Sequence, residues 1–477
     1  MIVLSVFWLL FALAAIMPLQ WSLTLLFVSL PFGSMTVLPG SITILPYVAL
    51  SPLVVIKVLL TTRNLTNLWD GLFNWKRLGF LTAFIIVGLI ITYSAPYLFH
   101  GAPVMELTTA RPAPLAFTSG NITQPLYLTM SFVLCVALYI LFLSPTGPAM
   151  LSSALLAGAT MAVASGLLDM ATAGTALLAP LRTASYAIME GAEVVNSRRV
   201  IGFNTEASTF GAMVLSFAAI LIFMSPASWA SSKPSWMQRG LIGALLLMTV
   251  LSTSSSAYLG LITLFLMYLL RLTLLLVTPR TGLDRRQSTS SLVALIMAVL
   301  LGCAYVAARP AILDGPIAIV NNTLLEKGGS DSADERSSWN RVSLQGFTAT
   351  GGYGVGVGST RTSSWVVAVL SSTGVLGALL LLAFLARGFF AYLPRTDLVI
   401  RFSAIGARYA FLIVLIPAAV AGTLVDFGIF NALFFALMAA APKLLGDARA
   451  QAAQPRSPRY GLRSQRLATR GRRMQRS

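Results

Sequence analysis

Long apolar stretches, each bounded by short polar or basic segments, recur along most of the chain. They run approximately over residues 2–16, 19–36, 43–60, 79–95, 126–143, 147–168, 207–225, 240–252, 256–276, 291–308, 363–386, 403–421 and 426–442. A helix of about 20 apolar residues crosses the ~30 Å hydrocarbon core of a bilayer. The pattern therefore predicts an all-α integral membrane protein with about 12 to 14 transmembrane helices.

The composition supports this class and excludes a soluble catalytic domain. Apolar residues make up 57% of the 477 positions and charged residues 10%, whereas about 25% of an ordinary soluble domain is charged. The first stretch has no basic segment before it and no small-residue cleavage site ahead of Pro18. We therefore expect it to be a retained span and not a removed signal peptide.

The distribution of charge predicts the orientation of the chain. Segments 61–78, 226–239, 277–290, 387–402 and the tail after Pro442, with the adjoining span ends, hold 24 of the 33 Lys and Arg but only four of the 15 acids. The side richer in basic residues faces the cytoplasm. The net charge of +18 is thus a topology signal, and no nucleic-acid partner is expected. We expect a transmembrane catalytic domain at 1–445 and a basic, disordered cytoplasmic tail at 446–477.

The first long outer loop, 169–206, ends in a cluster of charges just before an apolar stretch. Its sequence "SRRVIGFNTEASTFG" contains Arg198, Arg199 and Glu206. We expect Asn204 to cap the helix that follows and Glu206 to lie in its first turn, where an acid suits the positive end of the helix dipole. The two arginines face that positive end and need an anion beside them. The alternative is a pair that extends to lipid headgroups at the interface.

The second long outer loop, 309–362, carries Arg336, Arg341 and Arg361, with Trp339 between the first two. Arg336 and Arg341 would lie about 140° apart on a helix, so one can face a cavity while the other does not. The alternative is a solvated amphipathic helix. The glycine-rich segment 351–358 is not a nucleotide-binding loop, because no GK[ST] follows it. We expect it to fold the chain tightly back to the membrane.

These two loops together suggest a chemistry. Guanidinium forks bind phosphate oxygens in a bidentate manner, which suits a lipid diphosphate. Because no nucleotide is present outside the cell, the natural activated donor is a polyprenyl-diphosphate-linked sugar. Its departing diphosphate needs charge neutralisation while a carboxylate takes the proton of the acceptor hydroxyl. No DxD motif is present. We therefore expect neither a metal nor another cofactor, with arginines stabilising the leaving group instead.

The same residues also resemble a known family. The motifs "GFNTEASTFG", "STSSSAYLGL", "ERSSWNRVSLQGF", "GGYGVGVGS" and "SSTGVLG" are similar, in order and placement, to those of bacterial polysaccharide polymerases and O-antigen ligases, integral-membrane glycosyltransferases of the GT-C type. The resemblance covers about residues 195–385. It implies a GT-C-like fold with two long periplasmic loops, an inner-membrane location, and partner proteins such as a flippase or a chain-length regulator. Similar enzymes hold the lipid diphosphate with periplasmic-loop arginines, and the matching positions here are Arg199, Arg336 or Arg341, and Arg361. We expect Glu206, Arg199 and Arg336 to be catalytic, and Arg198, Arg341, Arg361 and Trp339 to bind substrate.

One departure from the family pattern separates its two branches. Ligases of this kind have a histidine near the entry to the span after the glycine-rich segment. This chain has "STRTSSWV" there, with Arg361 and no histidine, and its single histidine is His100. We therefore predict a polymerase that joins oligosaccharide repeat units, with Glu206 as the base or as an orienter of Arg199. The alternatives are a ligase-type transferase, a lipid-linked oligosaccharide flippase or other transporter, a cell-division-type peptidoglycan glycosyltransferase, and a non-enzymatic scaffold.

Overall fold

The computed structural model describes residues 2–38, 44–62, 65–173, 175–184, 193–194, 197–224, 235–277, 331–394 and 397–453. Within these ranges its α-helices are α1 Ile2–Ile16, α2 Leu19–Val28, α3 Pro46–Thr62, α4 Leu65–Phe73, α5 Gly79–Leu98, α6 Gly120–Phe142, α7 Gly147–Ala171, α8 Ala207–Phe223, α9 Ser235–Leu251, α10 Ser255–Val277, α11 Asp331–Ala349, α12 Trp365–Phe390, α13 Leu398–Ala421 and α14 Gly428–Ala453. A single 3-10 turn lies at Ala179–Leu181.

The strands of the described ranges form two short antiparallel hairpins. One pairs β1 Pro103–Met105 with β2 Pro112–Pro114, and the other pairs β3 Glu193–Val194 with β4 Ser197–Arg198. Seven of the described helices, α5, α6, α7, α10, α12, α13 and α14, are long and apolar enough to cross a membrane, and α1, α2, α3, α8 and α9 are shorter apolar helices. The chain is therefore an all-α membrane protein, as the apolar pattern predicts.

Most predicted spans coincide with a helix to within a few residues. The exceptions are the stretches 19–36 and 291–308. The stretch 19–36 was expected to be one span, but α2 ends at Val28 and residues 29–38 form turns. The segment contains Pro31 and Gly33, both unfavourable in a helix interior. The expected span at 291–308 lies outside the described residues. At the chain's end, α14 continues to Ala453, past the expected domain boundary at 445.

The helix bundle has two ends. At one end, which we call the loop end, α5, α7, α9 and α13 finish and α6, α8, α10, α12 and α14 begin. The connections 99–119 and 350–364 and the described residues of 172–206 lie there. At the opposite end, Lys443 of α14 pairs with Asp70 of α4 (2.7 Å), and Arg271 of α10 donates to the last carbonyls of α8. Cations at helix C-termini suit the negative end of the dipole.

Two helices lie in segments that the sequence assigned to loops. One is α4, whose Gly71 packs against the Tyr139 ring of α6. The other is α11 in the second long loop, and it packs along β1 and α12. An amphipathic helix was one of the two alternatives for that loop. The sequence of α11 is too polar for a membrane span. Its position therefore depends on packing against the rest of the protein.

The glycine-rich segment does more than turn the chain. Its glycines at 351, 352, 354, 356 and 358 all have positive φ, and residues 354–359 are buried. Val355 and Gly356 donate to the carbonyls of Ser371 and Ser372 (2.8 and 3.0 Å). Those carbonyls are free to accept because α12 is kinked at Gly374 (φ 65°, ψ −174°). Irregular backbone can enter a helix bundle only where its polar groups are satisfied in this way.

Candidate functional site

The first cluster of site residues lies where α8 begins. Arg199 precedes the helix in the loop and is half-buried, within electrostatic range of the Glu206 carboxylate and the Tyr258 hydroxyl of α10. Burial lowers the pKa of the Arg199 guanidinium, and the charges of Glu206 and Tyr258 oppose that shift. Its Nε is buried and has no hydrogen-bond partner among the described residues. The arrangement leaves a partly desolvated cation with an unpartnered donor in the electrostatic field of a carboxylate.

The start of α8 corrects the expected capping scheme. The N-cap residue is Glu206, with extended backbone (φ −151°, ψ 158°), and not Asn204. The Glu206 side chain does not cap a backbone amide; its Oε1 instead accepts a hydrogen bond from the Ser208 hydroxyl. Asn204 is buried two residues earlier, with its side chain against Gly33. The carboxylate of Glu206 is therefore available to face Arg199, because helix capping does not occupy it.

A buried ion pair holds the loop between Arg199 and Glu206. Asp169, in the last turn of α7, accepts from the backbone amides of Ile201 and Gly202 at 2.9 and 3.1 Å and pairs with Arg182 at 3.0 Å. The side chains of Asp169 and Arg182 are 1% and 6% exposed. The pair was not predicted, although an acid at the edge of an apolar span is a signal that it has a partner. The expected span 147–168 stopped one residue before it.

A second set of contacts ties the same loop to the turn after α2. The backbone amide and hydroxyl of Ser34 both donate to the carbonyl of Phe203, at 2.9 and 2.8 Å. The carbonyl of Ser34 accepts from the amides of Thr183 and Ala184 at 2.9 Å each. Phe32 packs on the Phe203 ring. The turn after α2, residues 183–184 and residues 201–203 are thus joined at Ser34.

The second cluster contains Trp339 and Arg361. The guanidinium carbon of Arg361 lies 4.4 Å from the centre of the Trp339 ring, within cation–π distance. The backbone amide of Arg361 donates to Met105 of β1 at 2.8 Å, and Ser343 of α11 donates to the Arg361 carbonyl at 3.0 Å. Trp339 is 9% exposed, and neither its Nε1 nor the Arg361 Nε has a hydrogen-bond partner among the described residues. These two buried donors lie beside one another.

The remaining predicted site residues are less constrained. Arg336 is half-buried and Arg341 is exposed, which fits the expectation that the two residues lie on different faces of one helix. The backbone of Arg198 pairs with Glu193 in the β3–β4 hairpin, but its side chain lies outside the described residues, as does Glu190. His100 is exposed in the turn that follows α5.

The two clusters occupy the same end of the bundle on either side of the α13 terminus. Gly260, two residues after Tyr258 on α10, packs against Pro417 of α13. Beyond the end of α13, Gly422 and Thr423 accept from the hydroxyl of Thr362, next to Arg361, at 3.4 Å each. Arginine side chains are hydrogen-bond donors only, so Arg199 cannot bond directly to an arginine of the second cluster. A ligand would have to reach between them.

Comparison of the chain with protein-family models and with curated proteins gives no match. The resemblance to the polymerase and ligase family therefore rests on the short motifs alone, and the geometry of the two clusters is what supports a function.

Proposed function

We propose that this protein is a polysaccharide polymerase of the GT-C type. It joins polyprenyl-diphosphate-linked oligosaccharide repeat units at the outer face of the bacterial inner membrane and needs no metal. The observation that carries the proposal is the half-buried Arg199, whose buried Nε has no partner among the described residues, in the loop that leads to Glu206 at the start of α8. A cation with an unused donor and a carboxylate in the same segment can supply both functions that transfer from a diphosphate donor requires.

The reaction assigns a role to each member of this pair. The hydroxyl oxygen of the acceptor saccharide attacks the anomeric carbon of the donor, and its proton passes to Glu206 or to a water held by it. The bond between the anomeric carbon and the diphosphate oxygen breaks, and its electron pair leaves with the diphosphate. Arg199 then faces an oxyanion whose charge is growing, and its planar fork matches phosphate oxygens. A contact that strengthens as charge develops lowers the barrier.

The second cluster supports binding of the same substrate. Trp339 Nε1 and Arg361 Nε are buried donors without an acceptor among the described residues, and a buried donor left unsatisfied costs about 1–3 kcal/mol. A phosphate or sugar oxygen at this position removes that cost. Because Arg361 lies over one face of the Trp339 ring, the ring's N–H edge, and not that face, is available to the ligand. Arg336 and Arg341 are proposed to close the site from α11.

The proposal includes the number of spans and the side of the membrane that each end of the bundle faces. We propose about 12 to 14 spans, with the loop end facing the periplasm and the opposite end, which carries the basic tail, facing the cytoplasm. The described chain supports this polarity, because Arg77, Arg271, Lys443 and the Arg408–Ala391 contact all lie toward the opposite end. The flippase alternative predicts charges at mid-membrane depth. Arg199, Glu206, Trp339 and Arg361 instead lie at the loop end.

The glycan profile of a strain lacking the gene tests the proposal. A polymerase predicts that long polymer disappears while single repeat units remain attached to their final carrier. A ligase predicts that no glycan is transferred to the carrier, although polymer still forms on the polyprenyl lipid. A flippase predicts that lipid-linked repeat units accumulate on the cytoplasmic face. An unchanged profile would contradict every glycan-transfer function.

A further inference from the structure

Asp169 and Arg182 form a charged unit inside the bundle, and their hydrogen bonds to residues 201 and 202 connect this unit to the loop before α8. The two oxygens of Asp169 meet three donors: Arg182 Nη2 at 3.0 Å, Ile201 N at 2.9 Å and Gly202 N at 3.1 Å. Arg182 Nη2 also approaches the Gly202 carbonyl at 3.4 Å. The pair thereby bonds to backbone amides and to a backbone carbonyl within residues 201–202.

From this geometry we infer that Asp169 and Arg182, the Asp169–Arg182 clamp, are positioning residues that set where Arg199 stands relative to Glu206. The inference rests on the proposed function, since it assigns the clamp to the same site. Ile201 is two residues after Arg199, and each residue spans at most about 3.6 Å. Any displacement of the Ile201 amide is therefore passed on to the guanidinium.

Stability alone does not explain a pair of this kind. The free-energy cost of removing two charges from water cancels much of the gain from their attraction. A buried ion pair is therefore often no more stabilising than apolar residues of the same volume. What an ion pair that also bonds to backbone groups supplies is a defined geometry. Here the charges hold the loop and not each other alone, because two backbone amides also donate to Asp169.

The backbone around the clamp leaves little freedom for the loop to settle elsewhere. Gly202 has φ of 57°, and a Cβ at this position would meet the Phe210 ring and the Ser165 hydroxyl at 2.8 Å each. Val200 donates to the carbonyl of Leu251 at the end of α9 (3.2 Å). The clamp thus fixes a loop whose alternatives are already restricted, and the loop ends directly at Glu206.

The test compares Asp169→Asn with Asp70→Asn in the purified full-length protein. Asp70 is a matched control, because it also pairs with a cation, Lys443, but at the opposite end of the bundle. The first readout is amide hydrogen exchange of the segment 200–206. We expect exchange there to be at least about tenfold faster in Asp169→Asn, equivalent to about 1.4 kcal/mol of lost protection, with no change in Asp70→Asn.

The second readout is polymer formation from lipid-linked repeat units. We expect Asp169→Asn to lower kcat by about tenfold or more with a smaller change in KM, because a displaced Arg199 weakens transition-state stabilisation more than ground-state binding. Arg182→Lys, which keeps the charge next to Asp169, should fall between the wild type and Asp169→Asn in both readouts. If Asp169→Asn does not fold, Arg182→Lys decides the question by itself.

The outcomes separate the clamp from the proposed function. Unchanged exchange at 200–206 in both clamp variants overturns the clamp, whatever the activity. Faster exchange throughout the protein makes the pair a general stabilising contact and also overturns it. Faster exchange at this loop with wild-type kcat overturns the link between the clamp and Arg199. If the wild-type protein makes no polymer, the proposed function is wrong. Hydrogen exchange of residues 200–206 then tests the clamp by itself.

Discussion

Replacing Arg199 by lysine keeps the positive charge at the start of α8 and removes the planar fork. Arg199 is half-buried and lies within electrostatic range of Glu206, and its Nε has no partner among the described residues. A lysine ammonium can approach one phosphate oxygen, but it cannot make two parallel hydrogen bonds from a fixed plane. If a diphosphate binds at this position, Arg199→Lys should lose most activity, even though the net charge of the site is unchanged.

The expected magnitude follows from the number of hydrogen bonds to phosphate that each substitution removes. One charge-assisted hydrogen bond contributes about 1.5–3 kcal/mol, and each ~1.4 kcal/mol is a factor of ten. Removing one of two such bonds should therefore lower kcat/KM about 10- to 100-fold. Arg199→Ala removes both bonds and the charge, so its deficit should be larger, about 100- to 10,000-fold on the same scale.

The assay is polymer formation from purified polyprenyl-diphosphate-linked repeat units at matched protein levels. Arg271→Lys is the control, because Arg271 of α10 lies at the opposite end of α8, where it donates to the carbonyls of Ile222 and Phe223, and can be replaced there by another cationic donor. The control should retain nearly full activity. Wild-type rates from both Arg199→Lys and Arg199→Ala would refute the reasoning, since the arginine would then only anchor the loop at the interface.

Four further outcomes are expected. Trp339→Phe keeps a ring under Arg361 but loses the Nε1 donor, so kcat/KM should fall about two- to tenfold, as one neutral hydrogen bond contributes about 0.5–1.5 kcal/mol; an unchanged value would contradict a ligand at that donor. Burial raises the pKa of Asp426 in the turn before α14, so its contribution to stability is present at low pH and is lost as pH rises through the folded pKa. Asp426→Asn should consequently raise Tm at pH 8 but not at low pH, and an equal gain at both pH values would contradict the assignment. Truncation after Ala453 should leave polymer formation intact, and a well-expressed but inactive product would contradict this. Cysteine replacing Ser337 should react with an impermeant reagent in intact spheroplasts while cysteine replacing Lys76 should not, and the reverse result would invert the proposed orientation.

The apolar helices of the described ranges and their order could be predicted from sequence, because the length and composition of apolar stretches decide them. The exceptions have local causes. Residues 29–36 are apolar enough to extend α2, but Pro31 and Gly33 interrupt the helix, and the Ser34 backbone instead bonds to Phe203 and Thr183. The helix α11 has no apolar face that a membrane would select, so its position depends on packing against β1.

The candidate site was predictable only in part. Clustered arginines and Glu206 stand out because charge is rare beside a span. Their partners do not, since Asp169 acts on amides more than 30 residues later and Tyr258 belongs to another helix. The position of Glu206 and not Asn204 as N-cap was also hidden, because Asn is a preferred N-cap type and Glu is not. Interactions between residues that are far apart in the sequence can be identified only when the fold is known.

The most direct test of the polymerase proposal is a reaction of the purified wild-type protein in liposomes with a polyprenyl-diphosphate-linked repeat unit as the only substrate, with no nucleotide sugar and with excess EDTA. The proposed function predicts a ladder of products that differ by one repeat unit, together with one released polyprenyl diphosphate for each bond formed. Absence of any elongated product from intact, folded protein would contradict it, and a ladder that forms only after divalent metal is restored would contradict the role assigned to the arginines.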